Sequence, residues 1–146
     1  MGTRSLTRVI KRQSGLDFAE GHKHPEKACV NMYRHYDGYP KGHGIELAEF
    51  LRDFRVVNGL GSDLPDKIAN GMGCLAAQLI AYMKDGPGNV YVESPDSKRS
   101  DLEYAYYVWV VENKDIWISI FDTFDEKCIF VGKPEKLIEK YDEKRN

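Results

Sequence analysis

Residues 31–44 run Asn-Met-Tyr-Arg-His-Tyr-Asp-Gly-Tyr-Pro-Lys-Gly-His-Gly, and concentrate aromatic, ionisable and small residues in one stretch. Three kinds of chemistry are open to them. Gly42, His43 and Gly44 fall where a helix is expected to begin, and the unpaired N–H groups of a first helical turn attract a phosphate or carboxylate. The same glycines equally relieve a tight strand-to-helix connection. Tyr33, His35 and Tyr39 offer rings on which a nucleobase or another flat group stacks, worth about 1–3 kcal/mol per ring, although core packing is the commoner reason for any single tyrosine. His35 and Asp37 suit an oriented His–carboxylate pair, the supporting half of a general-base site. The nucleophile for such a site is unmarked: Thr3, Ser5 and Cys29 qualify by type alone, without a Gly-x-Ser-x-Gly elbow. Near the amino terminus, Thr3-Arg4-Ser5 sets a guanidinium fork between two hydroxyls. That combination holds a phosphate oxygen, or serves structure alone if Arg4 pairs with Asp37. Arg34 and Lys41 add charge nearby, as anion contacts or as solvated surface. His22, His24, His35 and His43 contain no helix-spaced pair, so neither a metal nor a cofactor is expected.

The elements that must position these residues follow from patterning. Residues 3–12 alternate as a strand with Thr3, Ser5, Thr7 and Val9 on one side, and residues 28–36 read as a second strand after a hairpin loop at 13–27. If the two pair as a hairpin, the start of the first meets the end of the second, and Arg4 approaches His35 and Asp37. Asp37-Gly38-Tyr39-Pro40 forms a turn, with Gly38 expected at positive φ and the Tyr-Pro bond open to a cis form. Leu47, Phe50, Leu51 and Phe54 form a helical stripe. A second helix is expected from a cap at Ser62 or Asp63, through Pro65 and Ile68, to Met83, with Gly71 and Gly73 allowing close backbone packing. Strands follow at 89–93, 102–111, 115–121 and 127–132 as an antiparallel meander, then a short helix from Pro134. The expected class is α+β: an antiparallel sheet of about six strands, two central helices on one face and a short C-terminal helix, in a single domain spanning residues 1–146.

Composition narrows the function classes. With 21 Lys and Arg against 23 Asp and Glu, net −2, no basic stripe supports general nucleic-acid binding, which draws affinity from many phosphate contacts. A small anion needs only one or two local cations. Three widely spaced cysteines read as buried hydrophobes in a reducing, cytoplasmic compartment. No run approaches the roughly 18 apolar residues of a membrane span. Gly2 with Thr7 downstream fits a myristoylation signal loosely, but the neighbouring Arg4 and first strand argue against it. The strands Tyr104–Trp109 and Ile116–Phe121 look apolar on both faces, which points to a homo-oligomer.

Gly2-Thr3-Arg4-Ser5, followed by Tyr33-x-His35-x-Asp37-Gly38-Tyr39-Pro40-x-Gly42-x-Gly44, resembles a family of small uncharacterised proteins found in bacteriophages and bacteria. The resemblance covers the first third of the chain and implies a phage or mobile-element setting, with the host cytoplasm as its location. Small proteins in that setting often act by binding, so the expectation is a non-catalytic protein that sequesters an anionic, nucleotide-like molecule and counters host defence signalling. Its contacts would be Arg4, Ser5, Tyr33, His35, Asp37, Tyr39, Gly42, His43 and Gly44. The alternatives are a small hydrolase of phosphate or glycosidic bonds using His35 and Asp37, and an inhibitor that docks on a host protein through Tyr39-Pro40.

Overall fold

The computed structural model describes residues 2–12, 27–57, 67–95, 97, 99, 101–111 and 115–142. The loop at 13–26 with His22 and His24, and the cap positions Ser62, Asp63 and Pro65, lie outside them. The described residues form eight strands and three helices, in the order β1 (Ser5–Arg12), β2 (Lys27–Arg34), α1 (Ile45–Leu51), β3 (Arg55–Val57), β4 (Ile68–Asn70), α2 (Gly71–Met83), β5 (Val90–Glu93), β6 (Tyr104–Val111), β7 (Asp115–Asp122), β8 (Lys127–Gly132) and α3 (Pro134–Tyr141). A π-helical turn, Pro40–Gly44, leads into α1. The architecture is α+β, with a six-stranded sheet in the order β5-β2-β1-β6-β7-β8 and a separate parallel pair β3-β4.

The expected hairpin forms: β1 and β2 are antiparallel with Ser5 opposite Arg34 and Leu6 opposite Tyr33. Two expectations fail. The last four strands do not form one meander, because β5 pairs with β2 at the far edge, while β6 runs parallel to β1. A four-residue strand cannot choose its neighbour by pattern alone, and β5 alternates no more clearly than an outer strand of any sheet. The second helix also starts later than expected. Residues 68–70 join the β3-β4 pair and the helix begins at Gly71, whose φ of 80° only glycine adopts easily. A side chain at Gly71 or Gly73 would meet nothing within 4 Å among the described residues, so close packing against these is not their role.

Period-2 alternation divides the sheet into two faces. The first carries Val9, Tyr106, Val108, Ile118 and Ile120 and packs against Leu47, Leu51, Leu75, Leu79 and Leu137 of the helices. The second carries Ile10, Tyr107 and Trp109 with Trp117 and Phe121 beside them. Both faces of the central strands are therefore buried within one chain, with Tyr107 and Trp109 at 3% and 2% exposure. The apolar sequence of β6 and β7 is accounted for without a second copy.

Because β5 and β6 lie on opposite sides of the β2-β1 pair, their connection must cross the sheet. It crosses the second face: Asn31 donates to the Ser94 carbonyl at 3.0 Å, Arg8 donates to the Ser97 carbonyl, and Arg99 lies on the Tyr33 ring. No helix among the described residues is long and apolar enough to cross a membrane.

Candidate functional site

The amino terminus and the strand-to-helix corner meet as expected. The Gly38 amide donates to the Thr3 carbonyl at 2.8 Å, and a Cβ on Gly2 would collide with the His35 carbonyl. The corner is filled, however, and not hollow. The amides of Gly42 and Gly44 donate to the Tyr39 carbonyl at 2.9 and 3.5 Å, and the His43 amide donates to the Asp37 carbonyl at 2.8 Å. A Cβ on Gly38 would stand 2.7 Å from Ser5 Oγ and the Thr3 carbonyl, and one on Gly42 would stand 2.7 Å from the Asp37 carbonyl. These two glycines permit backbone contact, and the anion site expected at Gly42–Gly44 is not formed. Gly38 itself does not take the positive φ expected of it: Asp37 does, at 59°, and the Tyr39-Pro40 bond is trans.

His43 lies inside, at 0% exposure. Arg34 Nη1 stands 3.2 Å from its Nδ1, and a guanidinium only donates, so Nδ1 accepts. The proton therefore sits on Nε2, which donates to Thr7 Oγ1 at 2.7 Å. Burial first and the Arg34 charge second push the His43 pKa down to about 3. Arg34 is equally committed: Nη1 and Nη2 form a fork with Glu46 at 3.0 and 3.2 Å, and Nε donates to the Tyr36 carbonyl. Ser5 is fully buried beside Gly38. Ser5, His43 and Gly44 are thus core residues of the corner and are withdrawn as ligand contacts.

His35 and Asp37 do not form the expected pair. His35 Nδ1 hydrogen-bonds the Tyr33 hydroxyl at 2.9 Å, and Asp37 accepts from the Tyr39 hydroxyl at 3.3 Å. Positive φ at Asp37 turns the chain between them, which two-residue spacing in an extended strand does not anticipate.

What remains of the motif assembles on the second face of the sheet. Leu6 lies opposite Tyr33 and Arg8 opposite Asn31, so Arg4, two residues before Leu6, shares their face. Arg4 pairs with Glu103 at 3.3 Å, yet its Nε is buried with no hydrogen-bond partner among the described residues. Asn31 Oδ1 is buried in the same condition. Arg99, which the motif does not include, stands 3.8 Å from the centre of the Tyr33 ring. Burial raises the Tyr33 phenol above its ordinary pKa, with the Arg99 charge opposing. The usable signal for Arg99 was length: the stretch between Glu93 and Leu102 exceeds the usual two to five residues of a hairpin loop, roughly, and so marks a crossover. Tyr36 and Tyr39 are 52% and 40% exposed at the rim. Among the described residues, no three His, Cys, Asp or Glu side chains converge as metal ligands.

Arg4, Tyr33, His35 and Arg99 thus share one face of the sheet, with the two arginine side chains partly exposed and Tyr33 buried, at 5% exposure. Comparison with known proteins finds no matching family model, no matching curated protein and no matching solved structure.

Proposed function

We propose that this protein is a non-catalytic binding protein that captures a small anionic, nucleotide-like ligand on the second face of its sheet. Arg4 takes the anion, and Tyr33 with His35 forms the aromatic wall. The observation that carries the reading is the buried Arg4 Nε, which has no partner among the described residues: a guanidinium donor withheld from water costs free energy until an acceptor meets it. The carboxylate beside it, Glu103, is 41% exposed, so that pair is weak and leaves the guanidinium available. The proposal extends, on the motif resemblance alone, to a phage-encoded protein that sequesters a host defence signal in the cytoplasm. A homo-oligomer is part of the proposal only through the exposed edge residues Tyr91 and Val92, 51% and 61% exposed.

Calorimetric titration with mononucleotides and cyclic dinucleotides tests this. Saturable binding that Arg4→Ala weakens about tenfold or more supports it, since a charge-assisted hydrogen bond contributes roughly 1.5–3 kcal/mol. Flat titrations across the panel overturn it. Ligand recovered intact after denaturation separates capture from hydrolysis. A second reading, docking on a host protein, is favoured by one observation, the exposure of Tyr36 and Tyr39 at the rim. Loss of host-protein capture in Tyr39→Ala, with nucleotide titrations flat, would select it.

A further inference from the structure

We propose that Arg99 is the specificity residue of this site: its guanidinium serves as a stacking platform for the ligand's flat ring and not as a hook for its phosphate. The inference rests on the site assignment made above and divides the labour within it. One face of the guanidinium lies on Tyr33, 3.8 Å from ring centre to Cζ. Three of its five N–H groups have carboxylate acceptors: Nε and Nη2 donate to the two carboxylate oxygens of Asp101 at 2.9 Å each, and Nη1 donates to Glu93. Ser97 Oγ donates to the other oxygen of Glu93 at 2.9 Å and holds that carboxylate in place. The N–H groups of a guanidinium all lie in its plane, so the carboxylates sit at its edge and not over its second flat face. The side chain keeps 29% exposure.

Charge separates the two roles. Arg99 faces two carboxylates, so a phosphate brought to it meets net negative charge. Arg4 faces one carboxylate, at 3.3 Å, and keeps a buried donor without a partner. A planar, weakly hydrated cation held rigid on an aromatic ring suits a nucleobase, which stacks on arginine planes as it does on aromatic side chains. Arg99 thereby caps the Tyr33 ring with a cationic layer, while the Tyr33 hydroxyl is held at its edge by His35 Nδ1.

The test uses the intact protein and two probes per nucleotide: the nucleotide itself and ribose 5-phosphate, which has the phosphate without the ring. The wild-type protein should prefer at least one ribonucleotide or cyclic dinucleotide over ribose 5-phosphate by about tenfold or more. Arg99→Lys, which keeps the charge and loses the plane, should abolish that preference while leaving ribose 5-phosphate affinity within about twofold. An unchanged ring preference in Arg99→Lys, or a clear loss of its ribose 5-phosphate affinity, overturns the platform role while the site stands. Absence of binding of every probe to the wild-type protein overturns the site and this inference together. A thermal melt of Arg99→Lys within a few degrees of wild type establishes that folding is intact.

Discussion

At the scale of single residues, His43 shows how a side chain of catalytic type becomes structural. It accepts from Arg34 and donates to Thr7, and the first of these bonds requires the neutral ring. Its folded pKa, about 3, lies below the unfolded value of about 6.5, so the unfolded chain binds the proton more readily. Stability from this group is complete above about pH 6.5 and falls as pH drops towards 3. At pH 5 the loss is about 2 kcal/mol relative to pH 7. Urea unfolding midpoints of wild type and His43→Gln should therefore converge as pH is lowered from 7 to 5; parallel curves would show that the ring does not titrate in this way. Arg34→Met should cost roughly 1–3 kcal/mol in the same measurement, because buried His43 Nδ1 is left without its donor, whereas Glu46, 47% exposed, is met by water. Residue types in the motif were legible as unusual, but which of them face inward was not. That depends on Thr7 of β1 standing against His43, a contact set by strand register rather than by local spelling.

Among the elements, the corner between β2 and α1 turns on two glycines and the second helix on two others, for different reasons. Gly38→Ala would press a methyl group against Ser5 Oγ and the Thr3 carbonyl, both at 2.7 Å, and should lower stability by roughly 1–3 kcal/mol. Gly73→Ala meets open space inside α2 and should raise it by about 1 kcal/mol. Thermal melts of the two variants should move in opposite directions; movement in the same direction would mean that the corner is looser than its geometry. The sequence reading located both pairs of glycines and assigned α2 a packing role that belongs to the corner. Without a φ value, a glycine needed for close approach and a glycine needed for chain reversal look alike. Strand and helix positions were largely legible from periodicity, as with Lys127–Gly132, whereas the exchange of β5 to the outer edge was not, since edge strands carry little pattern of their own.

For the whole molecule, β1 is the central member: it bonds β2 on one side and β6 on the other, with Ser5 opposite both Arg34 and Tyr104. Terminal segments are commonly dispensable, but deletion of residues 2–12 should abolish cooperative unfolding and not merely shift its midpoint, which a thermal scan of the truncated chain would reveal. The parallel pairing of β1 with β6 was hidden from local pattern because its partners are far apart in sequence, with β2 to β5 and two helices between them. During synthesis on the ribosome, the β1-β2 hairpin emerges long before Tyr104–Val108 can join it. For that interval the nascent chain exposes an unpaired strand that becomes the middle of the finished sheet, an open invitation to pairing with a neighbouring nascent chain. Yield in the cell should accordingly depend on translation speed and chaperone supply more than on the stability of the completed fold.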